Sequence, residues 1–191
     1  MSDRTSTLDG LSVEASSEPL LAWRTWALTG ARDGRNLLLR PVARRSRTWR
    51  PLHVVEARCR MSRWHTAPDV DCTCGLHGTL GIDVLRKTKN PSVLGRVALW
   101  GRIVEHDLGF RAQFAYPQRL RLVCQFCFWI AGVRRASPEH VGWFPRGELM
   151  PLCDEHLGVA QRNGATPRFL HPAGVVAQRL RDTYAVDALA V

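Results

Sequence analysis

Lysine is almost missing from this 191-residue chain: Lys87 and Lys89 stand against 25 arginines. GC-rich codons favour Arg together with Ala, Gly and Val, so the arginine excess alone is weak evidence for phosphate recognition. The formal net charge of +10 is better evidence, because a positive balance raises affinity for polyanions whatever its origin. Apolar runs near 18 residues are absent, which excludes a transmembrane helix, and no membrane partner is expected. The N-terminal MSDRTSTLDGLSVEASSEP lacks the basic start and apolar core of a signal peptide. It reads as a disordered tail over residues 1–18. The expected location is the cytoplasm, where thiols stay reduced. P-loop, GxGxxG, GxSxG and HExxH motifs are absent, and Ser, His and Asp fall in no diagnostic order.

A hydrophobic fraction of 45% suits a folded protein. Seven tryptophans run from Trp23 to Trp143 and imply a core extending through most of the chain. LLAWRTWAL and LLLRPV read as strands, LHVVEARC as a strand ending at Cys59, and GIDVLRKTKNPSV as a short helix or connector. VLGRVALWGRIVEHDLGFRAQFAYP predicts a β-hairpin turning at Asp107–Gly109. Phe110, Ala112, Phe114 and Tyr116 share one face at period two, and Pro117 ends the strand. RLRLVC is a further strand. CDEHLGVAQR reads as a helix stopped at Asn163–Gly164. Pro172 opens a last helix with Val176, Leu180 and Tyr184 on one side. The predicted fold is α+β. A twisted antiparallel β-rich domain over 19–122 holds a first zinc site. A treble-clef-like zinc module with C-terminal helices follows over 123–191.

Six cysteines in a reducing compartment point to metal rather than disulfides. Cys124 and Cys127 have C-x2-C spacing, and Cys153 and His156 have C-x2-H spacing. Three thiolates and one imidazole are a tetrahedral zinc set. A C-x2-C knuckle after a strand turns both sulfurs inward. A C-x2-H pair in the first turn of a helix points both groups to one side, where the helix N-terminus favours thiolate. The arrangement resembles treble-clef zinc sites, with a long spacer over 128–152 that needs a hairpin. A second zinc set draws on DCTCGLHG. Cys72 and Cys74 supply two thiolates and Cys59 a third. The fourth ligand is His65 or His77, both geometries satisfying four-coordination, with His65 preferred.

The string HTAPDVDCTCGLHG, the LWG-x-V-x-E-H hairpin with its following G-aromatic-R-A and Pro, and LVCQFC together resemble a family of small uncharacterised zinc-binding proteins from GC-rich bacteria. The resemblance covers roughly residues 20–130. It implies no established activity. It favours His65, because the position of His77 is more often tyrosine in that family.

Between Arg40 and Arg63 the chain carries eight arginines and one acid, Glu56. Trp49 and Trp64 interleave with them, a composition that suits a phosphate surface with a stacking platform. Arg44, Arg45, Arg47, Trp49, Arg50, Arg60 and Arg63 are the candidate nucleic-acid contacts. Two zinc sites of three thiolates and one imidazole leave the net charge near +8, still strongly basic. The reading is a zinc-stabilised basic protein that binds nucleic acid without catalysis. The alternative is an adaptor with a protein partner. A second alternative is a zinc enzyme using an open metal position or the Glu105–His106 pair.

Overall fold

The computed structural model describes residues 13–42, 47–144 and 148–190. Among them the chain runs through β1 (Val13–Thr29), β2 (Leu38–Pro41), β3 (Val55–Glu56), β4 (Leu76–Thr79), β5 (Val93–His106) and β6 (Gly109–Leu122). Helix α1 (Gln125–Ala131), β7 (His140–Phe144), β8 (Glu148–Leu152) and α2 (Asp154–Arg162) follow, then β9 (Phe169–Pro172), α3 (Ala173–Tyr184) and β10 (Asp187–Ala188). Strand pairs are antiparallel except β10 with β6. The fold is mixed α and β, as expected.

The β5–β6 hairpin is the backbone of the molecule. Its register runs from His106↔Gly109 to Val93↔Leu122. β5 also pairs with β1, β6 with β4, and β4 with β1 through Trp23↔Thr79. These pairings form a closed circuit, which leaves the central strands few open edges. Close approach at the hairpin turn requires Gly109. Its φ is +150°, and a Cβ there would sit 2.1 Å from the Gly78 carbonyl oxygen of β4.

Three local expectations change. β1 starts at Val13 and pairs Val13↔Val104 through Ser16↔Gly101, so residues 13–18 belong to the sheet rather than a tail. Residues 1–12 lie outside the described set. Pro117 does not end β6: the strand continues to Leu122, and RLRLVC supplies its second half. A register shift between Arg96 and Val97 sits beside the Val97↔Pro117 pair, so a bulge accommodates the residue that cannot donate to the ladder. β3 is only two residues long, although Ala57 N still donates to Gln113 O at 2.7 Å. The chain must turn there to bring Cys59 inward.

One hydrophobic cluster joins Trp26, Leu99 and Leu120 of the strands to Val141, Leu149 and Tyr184 of the C-terminal half. The segments on either side of residue 122 therefore share a core. Val176, Leu180 and Tyr184 form the buried stripe of α3, at helical spacing. The Tyr184 hydroxyl accepts from Leu39 N at 2.8 Å and donates to Trp49 O at 2.6 Å. Tyr116 Oη in turn donates to Tyr184 O at 2.7 Å and accepts from Leu52 N at 3.0 Å. These bonds latch segment 49–52 to the last helix.

Tyr184→Phe should therefore cost about 1–3 kcal/mol in urea unfolding, since two buried backbone groups lose their partner. Burial pushes the Tyr184 hydroxyl up from 10.0 to about 12. Its contribution is complete below pH 10 and is lost as pH rises toward 12, because the unfolded state releases the proton first. The variant should lack this alkaline decline, which paired unfolding curves across that range would reveal.

Candidate metal centres

The first centre is built from irregular chain. Cys59 follows β3, His65 comes six residues later, and Cys72 and Cys74 lie on the loop entering β4. One donor atom from each of the four lies within 4.8 Å of all the others. Cys59 Sγ is 3.7 Å from Cys72 Sγ, and Cys74 Sγ is 3.4 Å from His65 Nε2. A tetrahedral zinc ion with ordinary bond lengths sets sulfurs about 3.8 Å apart and sulfur and nitrogen about 3.5 Å apart. The donor set and spacing fit that ion.

Asp69 folds the loop that returns the cysteines to His65. Its carboxylate accepts from Asp71 N at 3.0 Å, and its carbonyl accepts from Cys72 N at 3.3 Å. Gly75 then leaves the loop at φ +128°, where a Cβ would meet Arg111 Cβ at 2.9 Å. The glycine of C-x-C-G is thus a conformational and steric requirement.

His77 stands outside the cluster. It lies in β4 opposite Arg111, and its Nε2–H donates to Thr73 O at 3.2 Å. It braces the C-x-C loop from the strand and does not complete the centre.

Arg111 was missed as a site residue. Only 7% exposed, its Nη1 donates to the carbonyls of Asp69 at 2.9 Å and Cys74 at 3.3 Å, and also to that of Cys72. Among the described residues no carboxylate forms an ion pair with it. A buried guanidinium that meets only carbonyls lacks a counter-charge. Zn2+ held by the three thiolates and one imidazole would give the centre a charge of about −1 and would supply one through the loop that Arg111 holds. The sequence signal was the arginine in the G-aromatic-R-A stretch.

The second centre uses two helix N-termini. Cys124 is the N-cap of α1 with Cys127 in its first turn, and Cys153 is the N-cap of α2 with His156 in its first turn. The β7–β8 hairpin spans the gap between them. Cys153 Sγ lies 3.9 Å from Cys124 Sγ and 3.6 Å from Cys127 Sγ. His156 Nδ1 lies 3.8, 3.4 and 3.0 Å from Cys124, Cys127 and Cys153 respectively. Phe126 stacks on the imidazole at 5.0 Å and fixes its plane. Both helix dipoles aim their positive ends at the thiolates.

Burial, neighbouring thiols and hydrogen bonds set the thiol acidities. Desolvation, then the neighbouring Cys153 and Cys124, push Cys127 up to about 12. Desolvation, then Cys72, push Cys74 up to about 11. Desolvation also acts upward on Cys59, but N–H groups of Ser62 and Met61, with Cys72 and His65, outweigh it and bring the thiol to about 7. Packed thiols of this kind resist carrying several negative charges without a cation among them.

No family model, curated protein or solved structure matches the chain.

The arginine segment is divided between exposed and buried positions. Arg47, Arg50, Arg60 and Arg63 are exposed, whereas Arg44 and Arg45 lie outside the described residues. Trp49 is corrected from a surface contact to a core residue. It is 2% exposed, edge-on to Trp26 at 5.3 Å and covered by the Arg24 guanidinium at 4.9 Å. Trp64 is 96% exposed. Glu105 and His106 are successive residues of β5, so their side chains leave opposite faces. His106 Nδ1 accepts from Leu108 N at 3.3 Å, a turn contact. No helix among the described residues is long and apolar enough to cross a membrane.

Proposed function

We propose that the protein is a cytoplasmic nucleic-acid-binding module stabilised by two structural zinc ions. The observation that carries this reading is the run of exposed arginines in the chain that leads into and through the first centre. Arg47, Arg50, Arg58, Arg60 and Arg63 all reach solvent, and Glu56, the one acid within Arg40–Arg63, lies 4.0 Å from Arg58. A surface of this kind neutralises phosphates and gains affinity by releasing counterions.

Four protein ligands at each centre leave no position for a reacting water, which supports structural roles for both ions. The order of knuckle, hairpin and helix at the second centre supports a treble-clef-like assignment. Six free cysteines in two clusters agree with a reducing compartment.

The test is oligonucleotide binding by the zinc-loaded protein across a salt series. Binding at low salt should weaken steeply as salt rises, with a slope near −0.9 per neutralised phosphate on duplex and about −0.7 on single strands. No binding at low salt would refute the reading. A protein-binding adaptor has one feature in its favour: β9 ends the sheet and exposes Phe169 and Leu170. Under that reading a defined partner co-purifies, and Leu170→Lys releases it.

A further inference from the structure

We propose that residues 59–65 form a metal-held finger that takes single-stranded nucleic acid, with one nucleobase stacked on Trp64. The proposal rests on the nucleic-acid reading above and specifies its substrate.

An indole left 96% exposed forfeits the burial that usually places tryptophan in a folded protein. Here the exposure is built into the backbone. The finger begins and ends at metal ligands, Cys59 and His65, so a bound ion clamps both of its ends. Inside it, Ser62 N donates to Cys59 Sγ at 3.3 Å, and Trp64 N donates to Ser62 Oγ at 3.1 Å. These two short turns, with the adjacent ligand His65, fix the main chain from which the indole projects. Trp64 cannot collapse inward without opening the centre.

The surroundings favour a polyanion with flat apolar faces. Exposed Arg58, Arg60 and Arg63 alternate with Met61, itself 89% exposed, and with Trp64. Aromatic faces interleaved with cations are the combination that holds successive bases and phosphates of a single strand. In a duplex, each base face is already covered by its neighbours. The finger is irregular chain, with neither the helix nor the two-stranded ribbon that enters a major groove. A lone indole of this kind gains its stacking partner only from an unpaired base. Oligothymidylate and oligouridylate share the required chemistry, and the two separate DNA from RNA.

The experiment measures fluorescence anisotropy of labelled oligothymidylate, oligouridylate and duplex DNA with the full zinc-loaded chain at low salt. Trp64→Ala should weaken single-strand binding roughly 5- to 100-fold and leave duplex binding unchanged. Trp64→Phe should restore part of the loss. Arg63→Ala should instead weaken both substrates and flatten the salt slope by about one phosphate. Thermal melting checks that each variant folds as the parent does.

If strands and duplex bind alike and Trp64→Ala affects neither selectively, the finger is not a base-stacking site, while the basic surface stands. If no nucleic acid binds, the functional reading falls and this proposal with it. Trp64-dependent binding to anionic phosphatidylglycerol vesicles with no strand binding would overturn it in favour of a membrane contact.

Discussion

Cys153→Ser is expected to leave the chain unable to hold its C-terminal half. A structural zinc ion contributes on the order of 10–16 kcal/mol of apparent binding free energy. That equals the whole stability of an ordinary domain, about 5–15 kcal/mol. Cys153 is both a donor and the N-cap of α2, and it lies within 4 Å of Cys124, Cys127 and His156. Its loss releases α1 from α2. The damage should not stop there, because Val141 and Leu149 of the intervening hairpin sit in the same core as Trp26 and Leu99. Circular dichroism should show loss of both helix and strand signal. Retention of the native spectrum and melting point would mean that the cluster is ordinary packing of thiols.

The second large effect concerns Arg111→Leu. Removing the guanidinium orphans the carbonyls of Asp69, Cys72 and Cys74 and leaves the thiolate centre without its buried counter-charge. Stability should fall by roughly 3–5 kcal/mol, the range for breaking a buried charge interaction. Metal affinity of the first centre should fall by about 10- to 100-fold, as when a supporting partner of a metal ligand is removed. The second centre should keep its ion, because none of its donors contacts Arg111. Arg111→Lys should lie between, since an ammonium keeps the charge but sits on a shorter stem and does not reproduce the position of Nη1 among the three carbonyls. Competition with a chromophoric chelator separates the two centres. Equal retention of both ions by Arg111→Leu would remove Arg111 from the account of the site.

What could be read from the sequence depended on how local the determinant was. The β5–β6 hairpin was legible because its alternation and turn lie within one continuous stretch. The helix carrying Cys153 and His156 was legible for the same reason: ligand spacing and helix start coincide. β1 was harder. VEASSE has only Val13 and Ala15 as apolar residues, too few to mark a strand, and the first part of this strand is defined by its pairing with β5, more than 80 residues away. Pro117 misled because a proline normally ends a strand, yet a bulge at the adjacent Gln118 lets β6 continue.

The ligand histidine shows the limit of spacing. His65 and His77 both lie close enough to Cys74 in sequence. The pairing of His77 with Arg111 in the β4–β6 register, and the Asp69 turn that brings Cys72 back to His65, separate them. Trp49 and Trp64 are the same residue type in the same arginine-rich stretch. Only long-range contacts distinguish them: Trp49 meets Trp26 and Arg24, while Trp64 lies exposed between Cys59 and His65 of the first cluster. Composition could not assign one to the core and the other to the surface.

Native mass spectrometry of the purified protein tests whether two metal ions hold this chain together. The expected result is a mass increase equal to two zinc ions per chain, lost on chelation together with the cooperative melting transition. A chain that carries no metal and melts identically with and without chelator would contradict it.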